Sequence, residues 1–207
     1  MNKILEKRDA VMSLIVGALT GFFALMVFKL LESDIDLPIS GFWYWLFPVG
    51  LSLLSLIGIF FASWIGKRFV AIYQIAKFGL VGALNTLVDL GVLSLLIFRT
   101  GIATGLFYVL FKAISFMVAA VNSYFWNKHW TFEKRDEEFE AGEFFKFLSV
   151  TILGFLINVG VASFVVIVIG PKYQISDELW ANIAAVIATL FAFIWNFVGS
   201  KFIVFKK

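Results

Sequence analysis

The sequence predicts an all-α integral membrane protein with six transmembrane helices. The first reason is composition: 61% of the residues are hydrophobic and 15% are charged, whereas an ordinary soluble domain has roughly 45–50% apolar residues. The second reason is that nearly uncharged stretches of about 20 residues, the length that crosses a bilayer core, recur along the chain. The third is that Lys and Arg concentrate in alternate connections, as the positive-inside rule expects.

Composition also narrows the chemistry. The sequence has no cysteine, which excludes disulfides and thiolate metal sites, and its single histidine, His129, argues against a histidine metal cage. It contains no glycine-rich phosphate loop, nucleophile elbow, paired catalytic carboxylates or metal motif. We therefore expect neither an enzyme nor a metal or other cofactor. The net charge of +3 reflects membrane sidedness, and we expect no nucleic-acid partner.

The first three predicted helices have distinct signatures. Ala10–Phe28 is uncharged and longer than the 7–15-residue core of a signal peptide, and no small-residue cleavage pattern follows it, so we interpret it as a retained transmembrane helix. Leu37–Gly66 is uncharged and has an aromatic cluster near its start. Phe78–Phe98 is apolar apart from Asn85 and Asp89. Its length suits a bilayer core.

The last three predicted helices follow the same logic. They run from about Leu106 to Asn127, from Phe147 to Pro171 and from Leu179 to Ser200. Lys112 lies near the start of the fourth helix, where we expect its side chain to extend toward the outer interface. The largest hydrophilic stretch, Glu133–Glu143, is a short mixed-charge loop. We therefore expect no soluble domain.

The basic residues predict the orientation. All but four of the 17 Lys and Arg residues lie in the N-terminus, the second connection, the fourth connection or the C-terminal tail. The exceptions are Lys29, Arg99, Lys112 and Lys172. Because cytosolic loops are enriched in Lys and Arg, both termini are predicted to lie in the cytosol.

The last four helices contain an internal repeat. One offset aligns the third helix with the fifth, and a slightly larger offset aligns the ends of the fourth and sixth helices. The matched residues include Lys77 with Lys146, Phe78 with Phe147, Val81 with Val150, Asp89 with Asn158, Gly91 with Gly160, Lys128 with Lys201 and Phe132 with Phe205. These matches predict a tandem repeat of two-helix hairpins. Each hairpin has an even number of spans, so the copies would share one orientation, related by an axis along the membrane normal.

Four segments together resemble the GtrA-like family of small four-helix membrane proteins. They are KFGLVGALNTLVDLGVLSLL, NSYFWNKHWTF, KFLSVTILGFLINVG and WNFVGSKFIVF. The resemblance covers roughly residues 73–207 and leaves residues 1–70 as two additional N-terminal transmembrane helices. It implies a role in cell-surface polysaccharide glycosylation, with translocation of a polyprenyl-phosphate-linked sugar across the cytoplasmic membrane. Similar domains occur fused to polyprenol-phosphate sugar synthases, but this chain contains no such enzyme, so no catalytic residue is assigned.

Polar residues recur on all four helices of the repeat. Asp89 lies twelve residues after Lys77, about 18 Å along a helix and near the middle of a bilayer core. An ionisable group there should face the bundle interior, either as a structural lock between helices or as a polar point on a sugar or proton pathway. The further predicted substrate-binding residues in the interior are Asn85, Asn122, Asn158 and Asn196. The alternative role of these amides is interhelical hydrogen bonding.

The ends of the fourth and sixth helices carry Lys128 and Lys201. Positive-inside anchoring explains such cations in most membrane proteins. A lipid-phosphate substrate gives them a second role, because a cationic rim at headgroup depth can hold a phosphate while the prenyl chain stays in lipid. Trp130, beside Lys128, is either an interfacial belt residue or a platform for sugar binding.

The leading hypothesis is therefore a flippase for a polyprenyl-phosphate-linked sugar. The expected partners are that sugar lipid and membrane lipid, together with a membrane-associated glycosyltransferase or a second copy of this chain. Two alternatives stay open from the sequence. One is a non-transporting anchor or accessory subunit of a separate glycosyltransferase, and the other is a small four-helix exporter that uses Asp89 for proton coupling.

Overall fold

The computed structural model describes residues 5–31, 41, 43–134, 138–171 and 176–206. Across these ranges the chain forms six long helices, three of which end in a π-helical turn. The helices are α1 (Lys7–Leu31), α2 (Trp43–Gly66), α3 (Val70–Thr100), α4 (Gly105–Trp126, continued by the π turn Asn127–Thr131), α5 (Ala141–Ser163, continued by Phe164–Ile169) and α6 (Asp177–Gly199, continued by Ser200–Val204).

All six of these helices are long and apolar enough to cross a membrane. Large apolar side chains along them are exposed, among them Phe22, Leu54, Leu106 and Phe155. Such a surface suits contact with lipid chains, and a helix satisfies its backbone hydrogen bonds internally, as the bilayer core requires. The predicted six-helix, all-α integral membrane protein is confirmed. Its sidedness remains a prediction.

Some helix boundaries differ from those predicted. α3 begins at Val70, well before the predicted Phe78, because a helix continues through polar residues such as Lys77 that the apolar stretch excludes. It ends where Gly101 adopts a left-handed conformation with φ 69° and donates its N–H to the Ile97 carbonyl at 2.8 Å. The predicted start of the second helix, residues 37–40, lies outside the described residues.

The helices separate into two compact units. The first unit, Met1–Arg135, contains α1 to α4, and the second, Asp136–Lys207, contains α5 and α6. Packing therefore groups the two N-terminal helices with α3 and α4. The division predicted at residues 70–73 follows the family resemblance instead.

Within the first unit, α1 and α2 pack closely through small residues. A β-carbon added at Gly17 or Gly21 of α1 would overlap the α2 backbone near Ser52 or Pro48, respectively. Ser52 Oγ also donates to the Leu14 carbonyl of α1 at 2.8 Å. Small residues let transmembrane helices approach until their backbones are in van der Waals contact, which is a main source of association in lipid.

The core of the first unit joins α1 to the other three helices. Its buried side chains come from every helix of the unit and from the π turn after α4; they are Val16, Ile59, Val81, Leu84, Val88, Ala119 and Trp130. α1 is thus part of this core, although it lies outside the segment that resembles the family.

Within the second unit, α5 and α6 also meet at glycines. A β-carbon added at Gly154 of α5 would overlap the side-chain amide of Asn196, and one added at Gly199 would come within 2.6 Å of Val150. Trp195 Nε1 donates to the Val150 carbonyl at 3.0 Å. This hairpin is therefore held together by close packing at its glycines and by indole hydrogen bonds.

The π turns fall at matching positions of the predicted repeat. Asn127–Thr131 and Ser200–Val204 occupy equivalent stretches, and each unit has an equivalent ring pair: Phe78 with Phe132 at 6.2 Å between centroids, and Phe147 with Phe205 at 5.9 Å. These pairs favour the tandem repeat, which remains a prediction.

Candidate functional site

Asp89 is the centre of a polar contact between α3 and α4. Its Oδ2 pairs with Lys112 Nζ, and its Oδ1 accepts a hydrogen bond from Ser115 Oγ at 2.6 Å. Ser115 is fully buried. Placing a carboxylate among apolar helices is costly unless it is paired, and α4 supplies both a cation and a hydroxyl.

The structure changes the expectation for Lys112. The sequence suggests that this side chain extends toward the interface, whereas it reaches Asp89 on the neighbouring helix. The Lys112 side chain keeps 42% of its surface exposed. The ion pair is therefore partly open at the lysine end.

Asn85 and Asn122 extend the polar contact by one more step. Asn122 Nδ2 donates to Asn85 Oδ1 at 2.6 Å, while Asn85 Nδ2 is enclosed and has no hydrogen-bond partner among the described residues. Asn85 precedes Asp89 by one helical turn, so both lie on the same face of α3. We call Asn85, Asp89, Lys112, Ser115 and Asn122 the polar strip. It brings together three of the predicted site residues.

A second polar cluster lies where α1 and α3 begin and α4 ends. Asp9, 2% exposed, accepts hydrogen bonds from Tyr73 Oη at 2.7 Å and Trp130 Nε1 at 3.0 Å, and it pairs with Lys77 Nζ at 2.9 Å. Lys77 is also 3.3 Å from Glu133 Oε1. These contacts connect α1 to the start of α3 and to the end of α4. The role of the cluster is therefore structural.

Two predicted site residues at the end of α4 are buried. Trp130 is 1% exposed, with its indole N–H on Asp9. Lys128 is also buried, and its Nζ lies 3.3 Å from Tyr124 Oη. Neither side chain lies on an open rim of the structure.

A groove of about 560 Å³ runs between the start of α1 and one face of α4. Its wall is mainly apolar, with polar residues at Arg8, His129 and Asn122; the other lining residues are Met12, Val118, Val121, Phe125, Trp126 and Trp130. Because Asn122 also belongs to the polar strip, the groove and the strip are adjacent.

The second unit contains the other predicted residues, Asn158, Asn196 and Lys201, each with its own contacts. Asn158 Nδ2 lies 3.4 Å from Thr189 Oγ1, while Asn196 Oδ1 is enclosed against Gly154 and has no hydrogen-bond partner among the described residues. Lys201 Nζ lies 5.7 Å from the centre of the Phe197 ring. A cavity of about 370 Å³ is lined partly by Lys146, Ser149 and Trp195.

Sequence reasoning missed several of these residues. In the sequence, Arg8 is one of the N-terminal cations that indicate sidedness, and nothing there assigns a role to Asp9. Asp9 does give one signal. An acidic residue at the start of a membrane helix is costly to bury, so it predicts a partner. Its negative charge also interacts favourably with the helix dipole at that end. Ser115 had no sequence signal, because a serine in a transmembrane helix commonly bonds only its own backbone.

The fold and the polar strip define a class: a small multi-pass helical membrane protein whose bundle contains hydroxyl, amide and ion-pair groups among apolar helices. The model of the GtrA/DPMS transmembrane domain matches residues 77–205, and the chain belongs to this family. No curated protein matches the chain, and no solved structure does. Membership suggests involvement in polyprenyl-phosphate sugar flipping or glycosylation, in a family whose members are typically non-enzymatic.

Proposed function

We propose that this protein translocates a polyprenyl-phosphate-linked sugar across the cytoplasmic membrane, with both of its termini in the cytosol. The observation that supports this best is the polar strip between α3 and α4. Its groups lie in helices that are otherwise apolar, and they belong to a chain of the GtrA/DPMS family. The flipping step, the membrane and the orientation are parts of this proposal.

The chemistry of the strip suits a sugar. Amide and hydroxyl groups both donate and accept hydrogen bonds, and a carboxylate accepts them, so these groups can exchange partners with sugar hydroxyls during passage. Asn85 Nδ2 is enclosed and has no hydrogen-bond partner among the described residues, and a sugar hydroxyl that entered the strip would provide one. The prenyl chain needs no such groups, and most of its length would stay in contact with lipid beside the apolar outer faces of the helices.

Asp89 and Lys112 would be central to this passage. Their ion pair offers a charged acceptor and a charged donor side by side, and hydrogen bonds to charged groups are roughly twice as strong as neutral ones. The step requires no hydrolysis, provided that consumption of the lipid-linked sugar on the far side drives net movement. Within the second unit, Asn158 and Asn196 are proposed to offer amide groups of the same kind. Lys128 of the first unit and Lys201 of the second are proposed to favour the phosphate electrostatically.

A reconstituted crossing assay tests the proposal. The purified full chain is placed in phosphatidylcholine vesicles with a short-chain polyprenyl-phosphate hexose, and a membrane-impermeant oxidant reports the sugar that is exposed outside. We expect crossing to be much faster than in protein-free vesicles. Asp89→Ala should slow it strongly, because the strip loses its charged acceptor.

Thr86→Val is the matched control. Thr86 is exposed on the same helix, and its Oγ1 donates to the Gly82 carbonyl of that helix at 3.1 Å. Its loss should leave crossing unchanged. If the wild-type protein did not accelerate crossing of the sugar lipid, that result would contradict flipping. If the same protein then captured a glycosyltransferase from the membrane, the accessory-subunit alternative would replace the proposal.

A further inference from the structure

The groove between α1 and α4 has a polar end and an apolar end. Arg8 and His129 lie at the end where α1 begins and α4 finishes, and Val118 and Val121 lie deeper along α4. His129 is about 10 Å from Asn122 along a helix. The volume of about 560 Å³ is within the usual range for small-molecule sites. Its named lining residues include a basic side chain and no acidic one.

Arg8 has unused hydrogen-bonding capacity. Its Nη2 donates to the main-chain carbonyl of His129, whereas its Nη1 is enclosed and has no hydrogen-bond partner among the described residues. An enclosed guanidinium nitrogen without an acceptor is unfavourable, and the planar guanidinium group matches phosphate oxygens well. Arg8 lines the groove, so a rotation of its guanidinium group that turns Nη1 toward the groove would let an anion there supply the missing partner.

We propose that this groove binds the phosphate of the lipid-linked substrate, with Arg8 on the phosphate and the first isoprene units along Met12, Val118 and Val121. The proposal rests on the proposed function for the identity of the lipid. Asn122 lies on the groove wall and donates to Asn85. The attached sugar could therefore pass from the groove to the polar strip without leaving protein contact.

This assignment gives α1 a functional role. The family match begins at residue 77, so Arg8 is supplied by a helix outside the matched segment. The neighbouring Asp9 holds that helix in place through Lys77 and Trp130. The phosphate site would thus be completed by an element that the family segment of this chain does not contain.

Binding of farnesyl phosphate to the purified full chain in detergent, measured by native mass spectrometry, tests the assignment. Arg8→Gln should weaken binding by about tenfold or more, which corresponds to about 1.4 kcal/mol. Lys7→Gln is the matched control, because Lys7 is an exposed cation one residue away. It should bind like the wild type. Farnesol, which has no phosphate, should bind equally to the wild type and to Arg8→Gln.

A second variant separates a lost site from a misfolded protein. Val121→Trp fills the groove and keeps Arg8, so it should also weaken farnesyl phosphate binding while the melting temperature stays near that of the wild type. Unchanged affinity in Arg8→Gln would overturn the assignment, and so would an equal loss in Lys7→Gln. If dioleoylphosphatidylglycerol bound to the groove as well as farnesyl phosphate and displaced it, the assignment would be overturned in favour of a general anionic-lipid site.

The crossing assay distinguishes the two proposals. If the wild type flips the sugar lipid but Arg8→Gln binds farnesyl phosphate normally, the groove assignment fails and flipping stands. If Arg8→Gln weakens binding but the wild type flips nothing, the phosphate site stands and the proposed function fails.

Discussion

Replacing Asp89 with asparagine separates the two roles that this residue could have. Asn retains an oxygen that can accept from Ser115 Oγ, but it removes the negative charge that faces Lys112 Nζ. The Asp89→Asn protein therefore keeps the hydrogen bond and loses the ion pair. Lys112 is left as an unpaired cation in a predicted membrane span.

The magnitude follows from the position of Lys112. A lone charge at the centre of a transmembrane helix costs about 2.5–3.5 kcal/mol on insertion scales. Lys112 lies seven residues after the start of α4 at Gly105, about 10 Å along the helix, so a long side chain recovers part of this cost by extending toward the interface. We expect Asp89→Asn to destabilise the folded protein by about 1–3 kcal/mol.

Adding Lys112→Met removes the unpaired cation. The double variant Asp89→Asn/Lys112→Met should recover stability to within about 0.6 kcal/mol of the wild type, the usual value of one interhelical hydrogen bond in a membrane. Unfolding in mixed micelles measures this, and the crossing assay is run on the same samples. We expect sugar-lipid crossing in the double variant to stay at least about tenfold slower than in the wild type, which corresponds to a barrier that is higher by about 1.4 kcal/mol. Recovery of both stability and crossing would refute a transport role for Asp89 and leave only a lock between helices.

Two further predictions concern packing, and circular dichroism melting of the detergent-solubilised protein measures both. Gly154→Ala should lower the melting temperature because its β-carbon would overlap Asn196, whereas Gly160→Ala meets open space and should leave the melting temperature unchanged or raise it slightly; equal effects would contradict the close α5–α6 approach. Asp9→Ala should lower the free energy of unfolding by about 3–5 kcal/mol, and with it the melting temperature, because it leaves the buried cation of Lys77 without its nearest partner. Glu6→Ala, at an exposed position, should have little effect on either. A small loss in Asp9→Ala would show that α1 is not held by this cluster.

The number and type of the helices could be predicted from the sequence because hydrophobic length determines which segments can cross a bilayer. The helix ends could not. α3 extends to Val70 through polar residues that hydropathy excludes, and α4 continues into the π turn Asn127–Thr131. Neither feature changes the apolar pattern along the chain.

Part of the candidate site was also predictable. Asp89 and Asn85 are conspicuous in an apolar helix, and their four-residue spacing places them on one face. Their partners were harder to identify, because Lys112 looks like an interfacial cation and Ser115 like an ordinary helical serine. The antiparallel register of α3 and α4 brings these residues to Asp89, and a single sequence does not specify that register.

Arg8 illustrates the same difficulty at the membrane surface. A basic residue before an apolar helix normally reports sidedness, and only the packing of α1 against the end of α4 puts this guanidinium on the His129 carbonyl and beside the groove. Its proposed phosphate role depends on that long-range contact.

The most direct test of the central claim is to identify the lipid that the protein retains when it is purified in mild detergent from its own membrane. Mass spectrometry of the intact complex and of its extracted lipid gives the answer in one experiment. We predict a polyprenyl-phosphate-linked sugar at near-stoichiometric amount. Bulk phospholipid alone, from membranes that contain such sugar lipids, would contradict the claim.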